Sequence, residues 1–176
     1  MDTVEDVAPA AFWAAARVES GLQPLLHFGA GPSDVAVRAR GRQVYLASPF
    51  RRHIEALQGL DGTEMLRGMI ALQWTSARAL DRLAAEGVAA VSPVVQSIAM
   101  LESRPRGGLG DLRAHRGALD DPFWTDWSRL LLEASGAVWV PAIEGWAHSD
   151  GIRREALWAL SRNMLVFVEA RDDAVA

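Results

Sequence analysis

Near the end of the chain runs Gly145-Trp146-Ala147-His148-Ser149-Asp150-Gly151-Ile152-Arg153-Arg154-Glu155, a stretch holding three residue types suited to work on a ligand. A serine hydroxyl donates to anions, a glycine lets backbone come close to a ligand, and a glutamate offers a carboxylate as nucleophile. The apolar run Ala137 to Val140 precedes the stretch and the amphipathic run Ile152 to Leu160 follows it. It therefore lies where a strand hands over to a helix, and in an open α/β sheet that is where ligands bind. Tyr45, Ser48, Pro49, Phe50 and Arg51 occupy the equivalent end of another apolar run, Val44 to Ala47. Taken alone, Ser48-Pro49 is a turn that ends a strand and Arg51 a surface cation. A first-turn acid such as Glu155 gains about 0.3–1 kcal/mol from the helix dipole without any function.

The elements that must position these residues alternate along the chain. Val44 to Ala47 reads as the first core strand. Glu64 to Glu86 places Met65, Met69, Leu72, Ala79, Leu80 and Leu83 at helical intervals, and Gly87 stands where a C-terminal cap is expected. Val88 to Val95 reads as a second strand, Phe123 to Glu133 as a helix, Ala137 to Val140 as a third strand, Ile152 to Leu160 as a helix and Met164 to Val168 as a last strand. This βαβ alternation predicts a small three-layer α/β sandwich with a parallel, flavodoxin- or Rossmann-like sheet flanked by helices. Ala10 to Val18 reads as a short helix and Val35 to Arg38 as a short strand. Together they form a leading extension, residues 1–40, ahead of a domain at 41–172. Glu102 to Leu119, with Arg104, Arg106, Arg113, Arg116, Gly107, Gly108 and Gly110, reads as a long basic loop of the kind that is functional or disordered.

Composition narrows the function classes. The chain has 176 residues, half of them apolar, which suits one domain with a substantial core. A formal charge of −4 gives no general attraction to polymeric nucleic acid or anionic membranes, so any phosphate recognition must be local. There is no cysteine, hence no disulfide framework and no thiolate chemistry. An acidic amino terminus and the absence of a long apolar run lead to the expectation of a soluble, cytoplasmic protein. His27, His53, His115 and His148 lack ligand spacing, so no metal is expected. Gly29 and Gly31 make only a Gly-x-Gly fragment before Pro32, and Gly107-Gly108-Leu109-Gly110 has no Gly-Lys-Ser/Thr after it. Neither a dinucleotide fold nor a P-loop follows from them, and no cofactor is implied.

Tyr45-Leu46-Ala47-Ser48-Pro49-Phe50-Arg51, then Ser92-Pro93, Phe123-Trp124, Gly145-Trp146 and Ser149 through Glu155, resembles the nucleoside 2-deoxyribosyltransferase-like superfamily over roughly Val44 to Val168. Within that superfamily the likeness is greatest to a bacterial and phage branch of unassigned function. The resemblance implies that Glu155 attacks the anomeric carbon of a nucleoside and forms a covalent glycosyl-enzyme, with Tyr45 positioning it or the sugar. It further implies that Arg51 and Ser149 hold a 5'-phosphate. Free-nucleoside transferases usually carry an aspartate where Ser149 stands; serine donates to phosphate where aspartate repels it, and arginine offers a two-pronged donor. Ser48, Pro49, Phe50, Ser128, Trp146 and Gly151 would line the ligand, Trp146 either stacking on a base or covering the sheet edge. Homo-oligomers in which a neighbouring chain completes the site are also implied.

Two positions depart from the pattern. Asp150 adds negative charge beside Ser149 unless it caps the following helix, the role assigned to it here. The catalytic aspartate of the superfamily falls on Ser128 when Leu131-Leu132 and Trp139-Val140 are aligned without gaps. Asp126 is two residues away, about 200° around a helix, so it or Asp120 or Asp121 would act only from a shifted backbone. The expected activity is thus an N-glycosidase or N-glycosyltransferase acting on a nucleoside 5'-monophosphate or related N-glycoside, with Glu155, Tyr45 and Asp126 as catalytic candidates. The alternative is a non-catalytic nucleotide-binding or partner-binding domain.

Overall fold

The computed structural model describes residues 8–18, 24–57, 62–103 and 121–170. The basic, glycine-rich stretch from Arg104 to Leu119 and the candidate Asp120 lie outside them. The five strands β1 (Leu26–Phe28), β2 (Val44–Leu46), β3 (Ala90–Val91), β4 (Ala137–Val140) and β5 (Leu165–Val168) make one sheet in the order β1-β5-β4-β2-β3. Every adjacent pair is parallel. α1 (Pro9–Val18) precedes β1, and between the strands run α2 (Pro32–Arg38), α3 (Phe50–Ala56), α4 (Gly62–Ala85), α5 (Pro93–Glu102), α6 (Asp121–Glu133) and α7 (Asp150–Ser161). The expected parallel three-layer α/β architecture is the one observed.

Alternation along the strands builds the layers. Tyr45, Val138, Val140, Val166 and Val168 point to one face and pack with residues of α1, α6 and α7. Val44, Leu46, Ala137, Trp139 and Phe167 point to the other, against α2 and the second half of α4. Because both faces are covered, β2 and β4 are buried throughout and read as continuous apolar runs. The first half of α4 packs with α3 and α5 through Met69, Leu72, Ile54, Val94 and Ile98. No helix among the described residues is long and apolar enough to cross a membrane.

Three expectations change. The leading residues are not an appendage: β1 pairs with β5, and Trp13 of α1, with no exposed surface, sits in the same core cluster as Tyr45 and Val166. Val35 to Arg38 is helical, since Pro32 opens α2 with a pre-set φ and the Asp34 carboxylate accepts from the Gly31 N–H at 3.0 Å. The second core strand is only Ala90–Val91, because Ser92 takes the N-cap of α5, accepting from the Val95 N–H at 3.4 Å, and Pro93 follows as the first helical residue.

Candidate active site

A cleft of about 790 Å³ opens at the carboxyl ends of the strands, between α6 and α7. Each helix presents one face to it, polar in the middle and ending in an apolar residue. From α6 come Thr125, Ser128, Arg129 and Leu132, and from α7 come Gly151, Arg154, Glu155 and Trp158. Both sets have the spacing i, i+3, i+4, i+7, which is one face of a helix. The other face of α7, with Ile152, Ala156, Ala159 and Leu160, is buried. Arg51 and Glu55 of α3 close one side, and Tyr45 of β2 reaches the cleft from the sheet.

The turn that launches α7 is specified locally. Gly145 has φ +82, a conformation that favours glycine. One 3-10 turn, Trp146–His148, follows, and Ser149 in extended conformation caps α7 by accepting from the Ile152 N–H at 3.4 Å. Ser149, not Asp150, is therefore the N-cap. Asp150 stands one position inside the helix and turns to the buried Arg153, which donates to its carboxylate at 3.2 Å. Its negative charge is balanced by that guanidinium.

Tyr45 and Glu155 meet at the centre of the cleft, where the fully buried phenol donates to Glu155 Oε1 at 2.5 Å. Burial is the largest influence on both groups. It pushes the Glu155 carboxyl up to about 7, and the Tyr45 hydrogen bond only partly offsets it. The Tyr45 phenol is driven well above its ordinary value by burial and then by the neighbouring carboxylate, while the Ser128 hydroxyl pulls the other way. Tyr45 thus stays a protonated donor at neutral pH. Glu155 is poised between its acid and its carboxylate, the condition in which a carboxyl can carry or release a proton near pH 7.

Arg51, Ser149 and Gly151 also line the cleft. Arg51 is exposed and its Nε donates to Glu55 at 2.9 Å. Ser128 comes into the cleft beside Tyr45, its hydroxyl donating to the Thr125 carbonyl at 3.2 Å. The remaining candidates fall elsewhere. Asp126 is 77% exposed and faces Arg129 at 3.8 Å outside the cleft lining, because the register of α6 turns Ser128 inward. Trp146 is buried against Trp13 of α1, ring centroids 5.4 Å apart, so it is neither a stacking surface nor a lid. Ser48 accepts from Ser76 at 3.2 Å, Pro49 precedes α3, and Phe50 packs with the cluster around Ile54 and Met69. None of these three lines the cleft.

Thr125, Arg129, Leu132, His148 and Trp158 were not singled out as ligand contacts from the sequence. The signal that marks most of them is the paired stripe itself: two helices with residues at i, i+3, i+4, i+7, polar at i+3 and i+4 and apolar at i+7, on faces that line one cleft. Among the described residues, no group of three or more histidines and carboxylates could hold a metal ion.

Fold and site together define a parallel α/β domain whose strand-end cleft encloses a hydrogen-bonded phenol and carboxyl. The chain belongs to the family described as a domain of unknown function, DUF1937, whose model matches residues 42–171. That match omits α1, β1 and α2, although β1 and α1 complete the same sheet and core. No curated protein and no solved structure matches the chain.

Proposed function

We propose that this cleft breaks the N-glycosidic bond of a nucleoside 5'-monophosphate or related N-glycoside, with water or a second base as acceptor. The observation that carries the reading is the Tyr45–Glu155 hydrogen bond inside the cleft. The likeness to the nucleoside 2-deoxyribosyltransferase-like superfamily supplies the reaction class. In the first step the ionised Glu155 attacks the anomeric carbon, a carbon–oxygen bond forms, and the carbon–nitrogen bond breaks with its electron pair leaving on the base. Water entering the cleft supplies the proton that the departing base takes up. A second displacement at the same carbon, by water or another base, frees Glu155.

Tyr45 orients the carboxylate throughout. Held far above its ordinary titration range, it donates a hydrogen bond and does not serve as the acid. Arg51, Arg154 and the Ser149 end of α7 make the charged side of the cleft, where a 5'-phosphate would find cations and helix N–H groups together. Binding phosphate there requires Arg51 to exchange its Glu55 partner for the ligand.

A second reading, a nucleotide-binding domain without turnover, is favoured by Ser128 facing Tyr45 where the superfamily has its aspartate, with Asp126 turned away. Incubation with nucleosides and their 5'-monophosphates, followed by chromatography for free base, separates the two. Base release from a monophosphate that disappears in Glu155→Gln supports the glycosidic reading. Tight binding with no base released and no sugar covalently attached to the protein sinks it.

A further inference from the structure

The cleft changes character along its length. At the amino end of α7 stands Ser149, with Arg51 of α3 on the cleft wall; Arg154 lies beside Glu155 in the middle, and toward the carboxyl end Trp158 of α7 and Leu132 of α6 complete the lining. With a rise of about 1.5 Å per residue, Ser149 lies about 9 Å from Glu155 along the helix and Trp158 about 4.5 Å beyond it. Anion site, carboxylate and aromatic surface therefore follow in the order phosphate, sugar, base.

Trp158 belongs to the cleft-facing stripe of α7 and is half-buried, whereas Trp146, the indole nearest Ser149 in sequence, is taken up by the core. The Arg162 guanidinium lies over the Trp158 ring, 4.9 Å from its centroid, which covers one face and restrains the ring's orientation. This indole and the buried Leu132, both in the cleft lining and in one core cluster, give an otherwise charged cleft its apolar surface. A sugar hydroxyl gains nothing there. A heterocyclic base gains stacking area whatever its hydrogen-bonding edge, because every base has a π-face.

We infer that Trp158 is the platform on which the base of the bound nucleotide stacks, so that the ligand lies along α7 with its phosphate at Ser149 and its base at Trp158. This assignment rests on the nucleotide reading above and adds the ligand's direction and its base-recognition residue. Calorimetric titration of the full chain carrying Glu155→Gln, which keeps ligands intact, with the common nucleoside 5'-monophosphates and with ribose 5-phosphate tests it. Adding Trp158→Ala weakens nucleotide binding on the order of tenfold, Trp158→Phe restores most of it, and ribose 5-phosphate binds all three forms alike. Equal nucleotide affinity in the alanine and tryptophan forms overturns the assignment. So does equal loss of nucleotide and ribose 5-phosphate in a Trp158→Phe chain whose near-ultraviolet circular dichroism is native. If neither compound binds the parent chain, both the assignment and the reading beneath it fall. If binding depends on Trp158 but the Glu155-containing chain releases no base, the platform stands and the glycosidic reading alone fails.

Discussion

The two ends of the sheet carry cavities of nearly equal size and opposite character. The cleft at the carboxyl ends measures about 790 Å³ and a groove at the amino ends of β2 and β3 about 760 Å³. The groove is bounded by Ala36, Val37 and Ala39 and by the turns around Gly41 and Gly87, and its charges, Arg40, Arg42 and Glu86, all stand exposed. Glu86 accepts from Ser33, and Arg42 lays its stem against Gly136. In the cleft, by contrast, the central carboxyl is partly buried and joined to a fully buried phenol. Volume alone does not distinguish the two. Placing an ionisable group where ionisation costs free energy does, and such placement is how reactive carboxyls are tuned.

The largest effect that would break this contrast concerns Glu155 itself. Glu155→Gln is expected to lower base release by about 10³-fold or more, the scale of losing a nucleophile, while Glu86→Gln at the other end leaves the rate unchanged; steady-state assays on both compare the two ends directly. On the glycosidic reading, attack requires the carboxylate, so kcat/KM of the parent chain is expected to rise with pH through about 7. A flat profile from pH 5 to 8 would remove Glu155 from the chemistry.

The same group governs stability in the opposite direction. Its native value of about 7 lies above the ordinary 4.5, so between those values the native chain retains a proton that the unfolded chain has lost. Stability from this group is therefore complete below about pH 4.5 and falls as pH rises to 7, by about 3 kcal/mol in full. Thermal denaturation should show Glu155→Gln gaining about 2–3 kcal/mol over the parent at pH 8 and much less at pH 5. No gain at pH 8 would mean that the carboxylate is adequately solvated.

Tyr45→Phe removes the donor that holds the Glu155 charge. A hydrogen bond to a charged group contributes about 1.5–3 kcal/mol, so a 10- to 100-fold fall in kcat near pH 7 is expected, with the pH profile displaced upward. The smallest effect is at the far end: Arg42→Ala should change stability by about 0.5 kcal/mol or less and leave catalysis alone, as for an exposed side chain. A comparable loss of activity there would erase the difference between the cavities.

Much of the scaffold could be read from residue order because its signals are local. The run Ala137 to Val140 coincides with β4, and the helical spacing from Met65 to Leu83 lies within α4. That Tyr45 positions Glu155 or the sugar is implied only by the family resemblance; the hydrogen bond joins Tyr45 of β2 to Glu155 of α7. What failed depended on distant partners. β1 has three residues with His27 in the middle, too few to show alternation, and its strand character comes from pairing with β5. Trp146 could not be placed without Trp13, which lies at the other end of the chain. Ser149 and Asp150 are both good caps, and only the buried Arg153 decides between them by drawing Asp150 into the helix.

The way β1 and α1 enter the sheet bears on where the folding unit ends. Sequence similarity within the family runs over residues 42–171, but β5 is an interior strand only because Leu26, His27 and Phe28 lie alongside Val166, Phe167 and Val168. A polypeptide begun at residue 42 would leave β5 as an open edge, with unpaired N–H and C=O groups on a strand whose Val166, Phe167 and Val168 are fully buried in the native chain. Such an edge recruits other strands and promotes self-association. Fragments cut to the similarity boundary should precipitate even though every residue of the cleft is present, and the cut belongs ahead of Pro9 instead.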